Sequence, residues 1–510
     1  MNSKQKNGLE RLRRRAAPLE LSPDEFREAG HRLVEQLANF LADLPVRAVT
    51  PSESPAEVRA AIASERTLPE AGRPAAEITA EAVELLAAHS LFNGHPRFFG
   101  YVTSSAMPIG ALGDLIASVL NCNVGAWKLA PAATEIEAQT IRWIAEFIGY
   151  PSDSGGLLVS GGNMANFVGF LAARASAGGR ELRREGVRAG RPLRCYCSRE
   201  THTWIQKAAD MAGLGTDSVR WIACDRRQRI DLAALQTEVE RDLERGGQPF
   251  LVVGTAGTVS TGAVDPLAEL AAFCRERGLW FHVDGAYGGL ASRVPGAPEE
   301  LQALALADSV AVDPHKWLYA PLEAGCALVK DPKSLLNAFS YRPPYYNFDT
   351  EAINYFDFGP QNSRGFRALK IWLAFQQAGR SGFQQTIADD IALAEHAFRM
   401  FDEHPEFDAI TRNLSICTFR YVPEALRARV GSEEGEELLN RLNQRLLGEI
   451  ESDGGAFLSN AVVDGKYLLR MCIVNFRTSL EDIEALPGLI AGLGAPTYQA
   501  MRQESAAGMI

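Results

Sequence analysis

Seven short apolar runs between residues 150 and 330 constrain this chain more than any other feature. They are Leu157–Ser160, Arg194–Ser198, Val219–Ile222, Phe250–Gly254, Trp280–Asp284, Val310–Asp313 and Cys326–Val329. Helix-like stretches such as Pro266–Arg277 lie between most of them. Runs this short, apolar along their whole length and separated by helices, predict strands of a parallel sheet covered on both faces. In such sheets ligands bind beyond the carboxyl ends of the strands. The chemistry of this chain is therefore expected where those strands stop.

Two of the strand ends carry reactive groups. One run ends His282-Val283-Asp284-Gly285-Ala286-Tyr287, and another continues as Asp313-Pro314-His315-Lys316-Trp317, placing Lys316 thirty-two residues after Asp284. A desolvated lysine is a nucleophilic amine that condenses with an aldehyde. A carboxylate can pair with a pyridinium nitrogen and keep it protonated. Together these are the two groups that pyridoxal phosphate requires. The two blocks, in this order, resemble the group II pyridoxal-phosphate-dependent amino acid decarboxylases. Members of that family act on aromatic amino acids, histidine, glutamate and cysteine sulfinate. The resemblance runs from about Ser22 to about Thr478. It implies the fold-type I, aspartate-aminotransferase-like α/β architecture with a mostly parallel central sheet. It also implies an N-terminal helical dimerisation segment (1–107), a large cofactor-binding domain (108–375) and a small C-terminal α+β domain (376–510).

Other segments gain meaning beside these blocks. Ser160-Gly161-Gly162-Asn163 follows a strand and precedes a helix expected near Met164. Glycines let backbone amides approach an anion, and a helix N-terminus favours negative charge. A Gly-Gly turn between strand and helix also has a purely structural reading. The resemblance makes Gly162 and Asn163 phosphate ligands. It makes His202, in Glu200-Thr201-His202-Thr203, the ring that stacks on the cofactor and orients the substrate carboxylate. It brings Thr258, in Thr255-Ala256-Gly257-Thr258, near His202, and sets Ala286 against the cofactor face. His315 is expected at the phosphate or the proton path, and Asp313 beside the lysine. Tyr101 and Thr103 match the segment lining the substrate carboxylate. Ser363 and Arg364 match a stretch that reaches the neighbouring active site of a homodimer. Tyr345 matches the tyrosine that protonates the substrate carbon, with Tyr346 its rival by one residue. The chain departs from the family at Phe99-Gly100-Tyr101-Val102-Thr103, shorter by a residue than Tyr-Phe-Pro-Thr. It departs again at Gly125, where the family carries a bulky side chain.

Ser22-Pro23-Asp24-Glu25 is a capping box with proline at the first helical position. Phe26, Leu33, Val34, Leu37, Phe40 and Leu41 follow at helical spacing, an apolar stripe suited to docking on a second subunit. Residues 340–365, rich in Tyr, Pro, Asn and Asp, predict a functional loop. After Arg367 a helix is expected through Lys370, Trp372 and Phe375. The net charge of −11 opposes nucleic-acid binding, which rests on phosphate neutralisation. No apolar run reaches the ~18 residues of a membrane span. Met1–Arg15 is basic without an apolar core, unlike a secretory signal. The eight cysteines include no CxxC pair, which predicts a reduced cytoplasmic protein without a metal site. The expected reaction is decarboxylation of an L-amino acid, aromatic before acidic, to the amine and carbon dioxide. An aldehyde synthase and a non-catalytic cofactor-binding protein are the alternatives.

Overall fold

A computed structural model describes residues 3–15, 17, 19–187, 190–343 and 352–506. Two compact units are present, Met1–Phe92 and Asn93–Ile510. The first is helical, with helices Ser3–Arg13, Pro23–Asp43, Pro55–Ala61 and Ala75–Ala88. The expected capping box is present. The Ser22 hydroxyl accepts from the Glu25 amide at 3.2 Å, and the Glu25 carboxylate accepts from the Ser22 amide at 2.8 Å. Ser54 and Glu57 repeat the device at the next helix. Phe26, Val34, Leu37 and Leu41 remain exposed within the unit, so the apolar stripe finds no core there.

The second unit is built on a seven-stranded sheet. Its strands are β1 (Gly155–Val159), β2 (Leu193–Ser198), β3 (Val219–Ile222), β4 (Gln248–Thr255), β5 (Trp280–Asp284), β6 (Ser309–Val312) and β7 (Gly325–Val329). The order is β1-β7-β6-β5-β4-β2-β3. Every expected run is a strand, shifted by no more than a few residues at its ends. β4, β6 and β7 are buried at nearly every position, as a sheet covered on both faces requires. The sheet is mostly parallel, but β7 runs antiparallel to both β6 and β1. The reason is local. Residues 313–324 join β6 to β7 without a crossover helix, and a chain that turns back directly can only pair antiparallel. That same return segment carries Lys316.

The helix expected near Met164 begins earlier, at Gly162, and runs to Glu185. A long helix, Ala368–Glu403, starts where the sequence placed one and carries non-helical backbone at Gly379. The small C-terminal sheet contains β8 (Phe407–Asn413), β9 (Ile416–Tyr421), β10 (Ser459–Val463) and β11 (Lys466–Cys472), in the order β10-β11-β9-β8. All its pairings are antiparallel. Asp464 and Gly465, with φ of 48° and 77°, make the tight turn between β10 and β11. Positive φ at both central residues matches the twist of a two-residue hairpin, and Asp-Gly supplies it at low cost.

Candidate active site

Parallel pairing brings the reactive residues to one edge. Asp284 pairs in register with Ala311, so the last residue of β5 stands beside the penultimate residue of β6. The ends of β1 and β4 open on the same side, and a cleft of about 330 Å³ lies among them. Its walls take residues from the turn after β1, from His202, from Thr255 at the end of β4 and Gly257 beyond it, and from Asp284, Ala286 and Lys316.

Asp284 is buried, with 6% exposure. Its Oδ2 accepts from the Trp204 indole Nε1 at 2.7 Å and its Oδ1 from the Ala286 amide at 3.2 Å. Both donors are neutral, so they fix the carboxylate without cancelling its charge. Trp204 opens a short helix two residues after His202, and its amide donates to His202 Nδ1 at 3.3 Å. Burial pushes the His202 pKa down, against the opposing pull of Asp284, and so favours the neutral ring.

Lys316 Nζ stands 3.4 Å from Asp313 Oδ2, and His315 Nε2 lies 3.5 Å from the same oxygen. His315 Nδ1 accepts from the Ala324 amide at 3.1 Å, which leaves the proton on Nε2, facing Asp313. Burial first, then the neighbouring Lys316, push the His315 pKa down to about 4. Burial pushes Asp313 up to about 6, with Lys316 drawing it the other way. Asp313 Oδ1 is buried and has no hydrogen-bond partner among the described residues.

Beside this group, the N-terminus of the helix Gly162–Glu185 points its amides outward from the end of β1. Gly161 adopts φ 146°, a conformation that side-chain-bearing residues rarely reach. A Cβ on Gly162 would sit 2.6 Å from Asp313 Oδ2 and 3.1 Å from the Ala286 Cβ. A Cβ on Gly325 would press on the Gly161 backbone at 2.5 Å. Space at this end is thus kept by missing side chains, as an anion cradle requires. Lysine, buried carboxylate, neutral imidazole and glycine cradle around one cleft fit pyridoxal phosphate. Lys316 would hold the aldehyde carbon, Asp284 the ring nitrogen, His202 and Ala286 the ring, and Gly162 and Asn163 the phosphate.

The remaining expected residues are less gathered. Thr258 is not in the cleft wall. Its buried hydroxyl lies 3.1 Å from that of Thr261 and accepts from the Ala263 amide at 3.1 Å, while Gly257 and Val259 on either side face the cleft. Tyr101 is exposed and leans on Phe457, and its neighbour Val102 lines the cleft. Thr103 Oγ1 is buried without a partner among the described residues. Ser363 is exposed, whereas Arg364 beside it is buried and bonded to Glu137. Tyr345 and Tyr346 lie outside the described residues. Sequence reasoning missed Trp204, the partner of Asp284. It also missed Arg470, whose Nη1 donates to the Tyr101 carbonyl at 3.0 Å. The Nε and Nη2 of Arg470 are buried without partners among the described residues. An arginine inside the apolar run Tyr467–Val474 was the available signal for it.

Comparison with known proteins agrees with this chemistry. The family model described as "Pyridoxal-dependent decarboxylase conserved domain" matches residues 55–422. The chain is 31% identical to an aromatic-L-amino-acid decarboxylase of Bacillus atrophaeus, over 91% of this chain and 94% of that one. It is 32% identical to a tyrosine decarboxylase of Oryza sativa subsp. japonica, over 89% and 87% respectively. Among solved structures, Oryza sativa TDC with PLP and tryptamine superposes with a TM-score of 0.87 at 26% identity, covering 94% of this chain and 99% of that one. The chain belongs to the pyridoxal-dependent decarboxylase family, enzymes that remove the carboxyl group of an amino acid with pyridoxal phosphate as cofactor.

Proposed function

We propose that the enzyme decarboxylates aromatic L-amino acids to their amines. The observation that carries the reaction is a single cleft faced by both Lys316 and the buried carboxylate of Asp284. Near-full-length similarity to aromatic-L-amino-acid and tyrosine decarboxylases supports the aromatic class.

When bound, pyridoxal phosphate supplies an electron-poor ring that takes up the electron pair left as carbon dioxide departs. Lys316 Nζ would hold the cofactor through its aldehyde carbon, at the position the substrate's amino group must reach. Asp284 keeps negative charge at the ring nitrogen and so holds a proton there. Its two short-range donors fix that charge before the reaction begins, which is how a buried site stabilises a transition state. The neutral imidazole of His202 bounds the ring face without adding a second positive charge. We assign Thr103 and Arg470 to the carboxylate end of the substrate, on the strength of their unpaired buried polar atoms. Tyr345 is assigned the proton returned to the substrate carbon, with Tyr346 as its rival. We further propose that the enzyme is a homodimer, with residues 1–107 as the dimerisation segment and Ser363 serving the partner's site. A cytoplasmic location is supported by eight free cysteines, six of them buried.

Release of carbon dioxide and amine, assayed across aromatic and acidic amino acids, tests the substrate assignment. Turnover of tyrosine, tryptophan or phenylalanine, abolished in Lys316→Ala, is the expected result. Preference for glutamate, aspartate or cysteine sulfinate would overturn the aromatic reading. Aldehyde with hydrogen peroxide in place of amine would overturn the amine product.

A further inference from the structure

We propose that Asp390 is a positioning residue for Lys316, one carboxylate oxygen fixing the turn from which the lysine amine is presented. Asp390 lies on the helix Ala368–Glu403 and is 2% exposed. Its Oδ2 accepts from the Trp317 indole at 2.9 Å and from the Tyr319 phenol at 2.7 Å. These are the first and third residues after Lys316.

The turn itself is tight. The Lys316 amide donates to the Asp313 carbonyl at 2.8 Å, and the Tyr319 amide returns to the Lys316 carbonyl at 3.0 Å. Tyr319 has φ 48°, a left-handed conformation that costs a bulky residue on the order of 1 kcal/mol. Such a conformation persists only where its surroundings hold it, and the bond to Asp390 does so. Trp317 also stacks on Tyr287, with ring centroids 4.6 Å apart. Tyr287 follows Asp284 by three residues and is tied through its hydroxyl to Ser415 at 2.7 Å. One anchor therefore reaches the strand ends that carry both the lysine and the aspartate.

Packing alone does not call for a carboxylate there. No lysine or arginine among the described residues is ion-paired with Asp390, and its carboxylate also accepts from the Asn475 backbone amide. Burying an unpaired carboxylate is costly unless its hydrogen bonds are needed. Burial pushes its pKa up to about 7, with Tyr319 and Trp317 pulling the other way.

The inference rests on the reading that Lys316 holds the cofactor, and its test separates the two. Apoenzyme is titrated with pyridoxal phosphate, following quenching of tryptophan fluorescence. The reconstituted enzyme is then scanned for the pH midpoint of its visible cofactor band and for kcat and KM. Asp390→Asn and Asp390→Leu are each expected to weaken cofactor binding and to shift the midpoint. They should lower kcat on the order of tenfold or more with KM little changed, because a small misplacement of a reacting group is costly. Trp317→Phe and Tyr319→Phe should each give part of the effect and add little to Asp390→Asn. Ile387→Val, in the core of the same helix, serves as the control for stability loss alone. Wild-type affinity, midpoint and kcat in both Asp390 variants would overturn the proposal. Equal changes in Ile387→Val at equal loss of thermal stability would also overturn it. Wild-type borohydride trapping of cofactor in Lys316→Ala would instead overturn the lysine assignment.

Discussion

Asp284 has two neutral hydrogen-bond donors. An asparagine oxygen can keep the shorter bond from Trp204 while its NH2 group replaces the oxygen that faces the Ala286 amide, so Asp284→Asn removes the charge at the cost of the longer, weaker bond. We expect the variant to fold and to bind cofactor, with turnover lower by about three decades. Steady-state rates beside cofactor stoichiometry check this, and a rate near wild type would mean that Asp284 does not serve the ring nitrogen. Tyr345→Phe is expected to cut amine formation and, with consumption of dioxygen and water, release aldehyde, ammonia and hydrogen peroxide. Product analysis beside Tyr346→Phe decides between the two tyrosines, and unchanged products in both would remove this segment from the proton path. Lys316 and Asp284 were legible because each sits in a run of residues whose chemistry is distinctive. Trp204 and Arg470 were not, because their roles come from distant partners. Trp204 meets Asp284 across 80 residues, and Arg470 meets the Tyr101 carbonyl across 369. Without those partners a tryptophan after His202-Thr203 reads only as core.

The strands were legible because both faces of the sheet are buried, so apolar runs mark them without help from periodicity. Their order was not. β7 lies between β1 and β6 through pairings far apart in the chain, such as Leu157 with Ala327. A further link between elements is hidden in the sequence, the buried pair of Arg364 and Glu137, which are 1% and 0% exposed. Arg364 also donates to the carbonyls of Leu158 and Val124, and Glu137 accepts from the Leu158 amide at 3.0 Å. The pair joins β1, the helix Pro131–Ile148 and the segment bearing Ser363. Removing one partner strands a charge in the interior, which typically costs about 3–5 kcal/mol. Arg364→Ala is therefore expected to lose that much in urea denaturation, and the double variant Arg364→Met with Glu137→Leu to recover much of it. A loss below about 1 kcal/mol in Arg364→Ala would place the pair among ordinary exposed salt bridges.

At the scale of the whole molecule, the helix Pro108–Leu120 bears most directly on the proposed homodimer. Its small residues face inward. A Cβ on Gly110 would meet the Pro321 ring at 2.4 Å, and one on Gly113 would lie 3.0 Å from the Lys370 Cα. Its large apolar residues face outward, with Leu112, Leu115, Ile116, Val119 and Leu120 between 44% and 64% exposed. A helix in contact with water normally shows the reverse arrangement. Exposed apolar side chains gathered on one helix face suit burial in an interface. In the helical N-terminal unit, the stripe of Phe26, Val34, Leu37 and Leu41 is exposed in the same way. Two such faces fit the homodimer proposed above, in which Ser363, exposed in this chain, would serve a neighbouring site. Leu115→Glu with Val119→Glu places two charges on the outward face without touching the inward one. We expect wild type to sediment as a dimer and the double variant as a monomer, with activity lost because each site then lacks its neighbour's residues. Truncation of residues 1–45 should likewise give inactive or aggregated protein. A wild-type chain that sediments as an active monomer would refute the dimer, and a monomeric variant with full activity would refute the shared site.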